Sequence, residues 1–368
     1  MASMRDVAEA AGVSVATVSH VLRGTKRVTP VVGARVRAAA AALGYVPNGQ
    51  ASALRTGRTG VLGVALPDLT TPFVTALLHA VEAAARAAGF LVMVHDTEND
   101  RAFEEAALGR LTALRVDGIV WVPAHDQGGL GPVRTARRAG AGAARRELSL
   151  PDVPLVTIDQ PVADRDAVFS DHVSGGTLVA AHLKGLGVRR VALLHGASDV
   201  TSARARRRGF LAEWDPLTPV WEAQSGFGPD LPGAVVRRLR GGGFDAVACA
   251  NDAVAVGVIR ALERDGVRVP HDVSVVGFDD VPLAAQVSPA LTTVRQPLAA
   301  MGAAAVRLLV ERMSDRARAA RQVVLPVELA VRGSTAAKGA AGEVSKTTGK
   351  ELVGQRAQTR TEERTHGV

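Results

Sequence analysis

From residue 61 onward the sequence alternates between short apolar runs of strand length and longer helical stretches. The strand-length runs cover residues 61–66, 90–94, 118–122, 155–158, 190–194, 246–250 and 273–276. Helical stretches such as 72–88 and 253–265 lie between most of them. This alternation predicts parallel sheets built from βαβ units. Because the region holds roughly 270 residues, two such sheets are more economical than one.

The length and composition predict a folded protein with more than one domain. The chain has 368 residues, of which 47% are hydrophobic and 22% charged, a balance typical of globular proteins. At about 100–200 residues per domain, two or three domains are expected. The single cysteine, Cys249, excludes an intramolecular disulfide and fits a reducing compartment. Because no secretory segment and no apolar stretch of ~18–20 residues is present, we expect a soluble, cytoplasmic protein without a membrane partner.

The positive charge of the chain is concentrated at its beginning. The net charge is +8, and residues 1–60 hold eight basic and two acidic side chains. Residues 61–336 hold equal numbers of both, and the remaining +2 lies in 337–368. A short basic head on a neutral body indicates a polyanionic partner at the head. Charge alone leaves a merely soluble basic surface as an equal alternative.

The first 44 residues predict three short helices, at 4–11, 14–22 and 29–43. Gly12 lies between the first two, where a residue with positive φ is often needed. Ser14 has the side chain of an N-cap, and Thr29-Pro30 supplies a cap followed by an N1 proline. This arrangement is typical of a helix-turn-helix, whose second helix enters the major groove. An arbitrary helical hairpin is the alternative, but the adjoining basic charge favours DNA binding.

A series of short motifs runs in order through the head and the body. In the head they are Asp6-Val7-Ala8, Ala11-Gly12-Val13-Ser14, Thr17-Val18-Ser19 and Leu43-Gly44-Tyr45. In the body they are Pro67-Asp68-Leu69, Ser202-Ala203-Arg204, Asn251-Asp252, and the runs 272–280 and 291–297. Together these motifs resemble the LacI/GalR family of bacterial repressors across residues 3–335.

The resemblance implies an N-terminal all-α helix-turn-helix head and an α/β body of two parallel-sheet lobes, similar to type I periplasmic binding proteins. The implied domains are 1–46 for the head, 47–60 for a hinge helix and linker, and 61–336 for the body. We place crossovers between the lobes near residues 160, 291 and 323. The first lobe would hold 61–160 and 292–322, and the second 161–291 and 323–336. The polar tail, 337–368, is expected to be disordered.

The resemblance also implies which side chains of the second helix contact DNA: Ser14, Val15, Ala16, Thr17, Ser19 and His20. Val15, Ala16 and His20 match positions that contact base edges in the family. The first two offer apolar contact, for instance to a thymine methyl, and His20 can hydrogen-bond to a purine. The three hydroxyl residues more plausibly contact phosphates or cap helices. For His20, a solvated surface histidine is the alternative.

Residues 48–55 resemble the hinge helix of the family, in which paired hinges enter the minor groove. Asn48 lies at its start, and Leu54 matches a leucine that wedges into a base step. A helix this short is unstable alone, so it would fold only with DNA and a partner subunit. The alternative is a simple linker with a buried leucine. The chain departs from the family at Val32-Gly33 and Ser52, so we expect its DNA affinity and operator sequence to differ from those of typical members.

Polar residues follow three of the predicted strands: Asp159, Asn251 and Asp279. The carboxyl ends of parallel strands form the ligand cleft of open α/β sheets. By resemblance Arg206, Asn251 and Asp279 are the strongest effector-binding candidates. The others are Asp159, Phe73, Phe227 and Gln296. Their amides and carboxylates suit a carbohydrate, with a nucleoside or purine as the second expectation, and no cofactor is implied.

For some of these residues a purely structural role is open. Asp279 could cap a helix, Phe227 could be a core residue, and Arg206 lies in a run of arginines that could form a solvated surface.

The function expected from these patterns is transcriptional regulation. The nine histidines show no HExxH spacing, and neither a GxxxxGK[ST] phosphate loop nor a GxSxG elbow is present, so an enzyme is disfavoured. A transport binding protein would have a similar body but no DNA-binding head. We expect a homodimer, with a tetramer possible, on a near-palindromic operator, because one head contacts few bases. We favour repression over activation only because members of the resembled family are usually repressors.

Overall fold

The computed structural model describes residues 2–23, 26, 28–45, 57–125, 150–215 and 217–338. These residues form two compact units, which divide between Gly60 and Val61. The hinge candidates Asn48 and Leu54 lie outside the described residues, as does nearly all of the predicted tail. No helix among the described residues is long and apolar enough to cross a membrane.

Three helices form the head: α1 (Met4–Ala10), α2 (Val15–Arg23) and α3 (Pro30–Ala42). A reciprocal capping box begins α1, because Ser3 Oγ accepts from the Asp6 amide while the Asp6 carboxylate accepts from the Ser3 amide. Gly12 turns the chain with a φ of +59°, a conformation that costs glycine little. Ser14 then caps α2, as predicted, by accepting from the Thr17 amide at 3.1 Å.

The head has its own apolar core, to which all three helices contribute. Its buried members are Val7, Ala8, Ala11, Val18, Val21, Val36 and Ala40. Ala8 is 5% exposed, and its small side chain allows the helices to cross closely. The structure confirms an all-α head with the predicted helix-turn-helix order.

The body contains twelve strands and eight helices within the described residues. The strands are β1 (Val61–Leu66), β2 (Leu91–Asp96), β3 (Gly118–Trp121), β4 (Leu155–Ile158), β5 (Asp166–Ser170), β6 (Val191–His195), β7 (Val220–Gln224), β8 (Ala246–Ala248), β9 (Ser274–Asp279), β10 (Thr292–Arg295), β11 (Gln322–Leu325) and β12 (Glu328–Ala330). The helices are α4 (Pro72–Ala87), α5 (Arg101–Ala113), α6 (His172–Gly185), α7 (Thr201–Glu213), α8 (Gly233–Arg240), α9 (Asp252–Arg264), α10 (Pro282–Gln286) and α11 (Leu298–Ser314).

The strands form two six-stranded sheets, one for each lobe. The first has the order β11-β5-β4-β3-β1-β2, and the second has the order β12-β10-β9-β8-β6-β7. All neighbouring strands are parallel except β12, which pairs antiparallel with β10. Helices α4 and α11 bury apolar side chains against the first sheet, and α6, α7 and α9 do so against the second. The predicted two-lobed α/β body is therefore confirmed.

The strand pairing differs from the predicted crossover positions. Strand β5 was expected in the second lobe, but it pairs parallel with β4 in the first sheet. Strand β10 was expected in the first lobe, but it pairs with β9 in the second. The chain therefore crosses after Ser170, after Arg295 and between Leu325 and Glu328. Both strands carry polar residues, so their composition did not indicate which sheet they would join.

Helices α6 and α7 cross very closely in the second lobe. The contact is made by Gly176 on α6 and Gly209 on α7, each of which lies against the backbone of the other helix. Any larger side chain at either glycine would overlap a carbonyl oxygen of the partner helix. This close approach brings the first residue of α6, His172, next to Arg206 on α7.

Candidate functional site

A cavity of about 380 Å³ lies between the two lobes of the body. Its walls come from the carboxyl ends of strands in both sheets, where ligand clefts of α/β proteins occur. Six predicted effector-binding residues line it: Phe73, Asp159, Arg206, Phe227, Asn251 and Asp279. The seventh, Gln296, is not in the wall but donates a hydrogen bond to Asp279.

Asp279 ends β9 with its backbone in an unusual conformation, at a φ of +111°. Gln296 Nε2 donates to its Oδ1 at 2.7 Å, and Arg206 Nη2 lies 3.4 Å from the same oxygen. None of the described residues donates to Oδ2. Burial raises the pKa of the Asp279 carboxyl to about 7, although Arg206 and Gln296 oppose the change. The carboxyl can therefore change its protonation state near neutral pH.

A second buried carboxyl, Asp252, lies close to Asp279 at the start of α9. Thr293 Oγ1 and the Val281 amide donate to its two oxygens. Burial and the charge of Asp279 raise the pKa of Asp252 to about 8. The two carboxyls therefore oppose each other's ionisation, and the sequence motif Asn251-Asp252 did not reveal this pairing.

Arg206 lines the cavity and is held in place by several contacts with the protein. Its Nη1 donates to the Ala250 carbonyl at 2.8 Å, and its Nε donates to His172 Nδ1 at 3.3 Å. The guanidinium carbon lies 3.8 Å from the centre of the Phe278 ring, within the range of a cation–π contact. Arg206 is therefore a fixed wall of the cleft, whereas its neighbour Arg207 faces outward and pairs with Glu222.

Asp159 lies at the first-lobe side of the cleft, after β4. Ser202 Oγ donates to its Oδ2 at 2.8 Å, and His172 Nε2 lies 3.0 Å from its Oδ1. Burial opposes ionisation, but the interactions with His172, Arg206 and Ser202 outweigh it and lower the pKa of Asp159 to about 2. Asp159 is therefore a carboxylate at neutral pH.

Asn251 has an internal structural role that the sequence analysis did not anticipate. Its Oδ1 caps α9 by accepting from the Val254 amide at 2.9 Å, and its Nδ2 donates to the Phe227 carbonyl at 2.9 Å. Asn251 therefore holds Phe227 in the cleft wall. The Phe227 ring lines the cavity and also packs against the core of the second lobe. It therefore has both of the positions considered for it, in the cleft wall and beside the core.

Residues that sequence reasoning missed connect the two lobes across the cleft. Gln160 donates to the Pro123 carbonyl in the first lobe and accepts from the Thr201 amide in the second. His125 Nδ1 lies 3.0 Å from Asp199 Oδ2, again between the lobes. The sequence does not predict these contacts, because they join residues far apart in the chain and form only when the two lobes face each other.

Of the predicted DNA-contacting residues that the structure describes, Ser14 caps α2 and the other five lie on α2. Val15 is 42% exposed, and Ser14 and Ala16 are also exposed, while Thr17, Ser19 and His20 are half-buried. An exposed valine at the start of a helix is available for apolar contact with a partner. The Ser14 and Thr17 hydroxyls lie 2.9 Å apart, so helix capping already accounts for part of their role.

Comparison with known proteins finds a matching family model in each of the two units. Residues 3–48 match the family model of bacterial regulatory proteins of the lacI family, and residues 180–335 match a periplasmic binding protein-like domain. The HTH-type transcriptional regulator DegA of Bacillus subtilis is 32% identical, over 90% of this chain and 97% of its own length. The chain belongs to the LacI family. This LacI-family protein is also 31% identical to the ribose operon repressor of Escherichia coli, over 91% of this chain and all of that protein.

A solved structure supports the same assignment for this LacI-family protein. The Lac repressor dimer bound to operator and the anti-inducer ONPF matches with a TM-score of 0.75 and 27% identity. The match covers 91% of this chain and 99% of the other. The LacI-family protein is thus a sequence-specific DNA-binding transcriptional regulator, and its relatives are regulators, not enzymes.

Proposed function

We propose that this regulator represses its target genes and that a small neutral carbohydrate in the cleft controls its operator affinity. The observation that carries the proposal is Asp279, a buried carboxyl at the cavity wall whose Oδ1 is held by Gln296 and Arg206. These contacts orient the carboxyl for a bound molecule, and a carboxylate accepts hydrogen bonds from hydroxyl groups well.

The rest of the wall suits a sugar in size and character. A cavity of about 380 Å³ is at the lower end of the usual range for small-molecule sites, roughly 300–1,000 Å³. Phe73 and Phe227 provide apolar surfaces on which the face of a ring can lie. In support, a 31% identical relative is a ribose operon repressor. A purine or nucleoside is the competing ligand, because its N–H groups would also donate to a carboxylate.

Ionisation of Asp279 should make sugar binding depend on pH. Because its pKa is raised to about 7, the carboxyl is largely protonated below that value and ionised above it. The ionised form offers more acceptor sites to sugar hydroxyls. Affinity should therefore increase as pH rises through neutrality and then level off.

The test compares Asp279→Asn with the wild type in thermal-shift and calorimetric titrations against D-ribose, D-glucose, cellobiose, hypoxanthine and guanosine. A sugar should raise the melting temperature of the wild type, and Asp279→Asn should weaken its binding by about 10–100-fold through loss of charged hydrogen bonds. Exposed Asp152→Asn is the matched control. Equal sugar affinity in Asp279→Asn and the wild type would remove Asp279 from the site, and a response to purines alone would reject the carbohydrate.

Regulation requires that the effector bind the two conformations with different affinity, since equal affinity shifts no equilibrium. In the proposed scheme the sugar changes how the lobes sit across the cleft, and that change alters operator binding. Gel-shift titration of the full chain with its selected operator, with and without the sugar, measures this coupling. Asp279→Asn should bind operator like the wild type but respond only at sugar concentrations about 10–100-fold higher.

We also propose that the protein binds a near-palindromic operator as a homodimer, with α2 of each head in the major groove. The related Lac repressor is a dimer on its operator, and one head alone contacts few bases. Val15, Ala16 and His20 would contact bases, and the neighbouring hydroxyls phosphates. Because an operator is chromosomal DNA, we place the protein in the cytoplasm.

An exposed apolar surface on the first lobe supports the dimer. Edge strand β2 presents Leu91, Met93 and Val94, which are 73%, 38% and 40% exposed, and Phe103 on α5 is 50% exposed. An apolar sheet edge of this kind is usually covered in native proteins. Leu91→Asp should shift the protein toward monomer in sedimentation velocity. Leu217→Asp, at a residue 90% exposed, is the control, and an unchanged dimer in Leu91→Asp would exclude this surface.

A further inference from the structure

A continuous group of buried and partly buried polar side chains runs from one lobe to the other along the wall of the cleft. Asp159, on the first-lobe side, contacts His172; His172 contacts Arg206 on α7; and Arg206 contacts Asp279 at the end of β9. His172 is 4% exposed and lies at the first crossover, where the chain leaves β5 and enters α6. His172 is the member of this group that does not line the cavity, so a bound effector does not need to contact it.

The partners of His172 determine which of its nitrogens carries the proton. Arg206 Nε–H can only donate, so His172 Nδ1, 3.3 Å away, must accept and must be unprotonated. The proton of the neutral ring therefore lies on Nε2, which is 3.0 Å from Asp159 Oδ1. This assignment agrees with the direction of the pKa of His172, which burial lowers below its ordinary value.

We propose that His172 is a positioning residue for the effector site, which holds the Arg206 guanidinium against Asp279 by accepting its Nε–H. The inference rests on the proposed function, because the site it organises is the proposed sugar site. His172 also joins Asp159, in the first lobe, to Arg206, in the second, so it links the orientation of the lobes to the shape of the cleft. It does not itself contact the sugar.

Protonation of His172 would break this arrangement. A proton on Nδ1 would face the Arg206 Nε–H, so that two donors and two positive charges would meet in a buried site. Asp159 and Asp171 favour the protonated ring, whereas burial and Arg206 disfavour it. Sugar affinity should thus fall in two steps with decreasing pH: the first near neutrality, when the coupled carboxyls of Asp279 and Asp252 gain protons, and the second, at lower pH, when His172 does.

Two amide substitutions separate positioning from space-filling. In His172→Asn the amide oxygen replaces Nδ1 as the acceptor for Arg206, whereas in His172→Gln the amide reaches toward Asp159 and leaves the Arg206 Nε–H without its acceptor. With D-ribose as the probe in calorimetry at about pH 8, where histidine is neutral, His172→Asn should bind within about threefold of wild type. His172→Gln should bind about 10–100-fold more weakly.

The pH profile gives a readout that a purely structural role would not change. The wild type should show both steps as the pH decreases from about 8, His172→Asn should lose only the lower step, and Asp279→Asn only the contribution of Asp279 to the upper step. Equal affinities for His172→Asn and His172→Gln, or a lower step that persists in His172→Asn, would overturn the inference. If Asp279→Asn and the wild type bind D-ribose equally, the proposed site itself is wrong instead.

A measurement without sugar completes the test. In full-length protein labelled with 15N-histidine, a long-range 1H–15N spectrum should show His172, identified by its loss in His172→Asn, with Nδ1 unprotonated and Nε2 protonated. The ring should gain its second proton only below the pH at which exposed histidines do, about 6.5. A protonated Nδ1 at neutral pH would refute the assignment, whether or not D-ribose binds.

Discussion

The close crossing of α6 and α7 predicts opposite effects for one substitution at two glycines of the same helix. A Cβ atom on Gly176 would overlap the carbonyl oxygen of Arg206 and lie 2.7 Å from the amide nitrogen of Phe210, whereas ordinary contacts are at least 3.4 Å. At Gly185, the last residue of α6, a Cβ would meet nothing within 4 Å. Gly176→Ala should therefore destabilise the protein, and Gly185→Ala should not.

The magnitudes follow from two competing effects. Overpacking costs about 1–3 kcal/mol, and Gly176→Ala should be near 3 kcal/mol because the atoms it meets are backbone and cannot rotate away. Alanine recovers up to ~1 kcal/mol through its higher helix propensity, so a net loss of about 2 kcal/mol remains. Gly185→Ala has the propensity effect alone, a gain of up to ~1 kcal/mol.

Thermal unfolding followed by far-ultraviolet circular dichroism measures both variants. For domains of this size, Gly176→Ala should lower the melting temperature by about 4–8 °C, and Gly185→Ala should raise it by up to ~4 °C. Gly209→Ala should resemble Gly176→Ala, and the double variant should lose less than the sum, because one alanine already separates the helices. If Gly176→Ala is as stable as Gly185→Ala, the close crossing is not a constraint on this fold.

Three further outcomes are expected. Asp166 is fully buried and paired with two arginines. Asp166→Ala should therefore lower the free energy of unfolding in urea by about 3–5 kcal/mol, because it leaves the buried arginine charges unpaired. Asp152→Ala, at an exposed position, is the control and should change this free energy little; equal losses in the two variants would contradict the prediction. Burial raises the pKa of the Glu104 carboxyl, so the contribution of Glu104 to the stability of the wild type decreases as pH rises from the ordinary pKa of 4.5 through the raised pKa of the folded state. Glu104→Gln should therefore gain melting temperature relative to wild type with increasing pH, and a constant difference would argue against a buried charge. His20→Ala should reduce operator discrimination by about 1–3 kcal/mol in binding to selected and base-substituted duplexes, whereas an unchanged preference would exclude a base contact.

Hydrophobic periodicity, together with helix-capping and turn residues, predicted most of the helices and strands. The helix bounds of the head agree with the structure to within a residue or two, because Gly12, Ser14 and Pro30 act locally through backbone geometry and capping. The seven apolar runs each correspond to a strand. Strands with polar residues, such as β5, β7 and β10, were missed, because hydrophobicity does not distinguish them from loops.

The candidate site was predicted in part. Polar residues that follow buried strands can be found in a sequence, since strand ends in parallel sheets converge on one edge. In this way Asp159 and Asp279 were selected, and both line the cavity. The role of Asn251 as a cap and the position of His172 between Asp159 and Arg206 depend on contacts between distant segments, which no local pattern indicates.

The identity of this protein as a LacI-family regulator could be recognised from its amino acids alone, because the motifs that carry it are short, local and in order. Which strands belong to which lobe, and the protonation states of the buried groups around Arg206, followed from the folded chain. The reason is physical: sheet membership depends on pairing between strands far apart in the chain, and a pKa depends on burial and on charges brought within a few ångströms by folding. In an extended polypeptide no strands pair, and each ionisable group keeps its ordinary pKa.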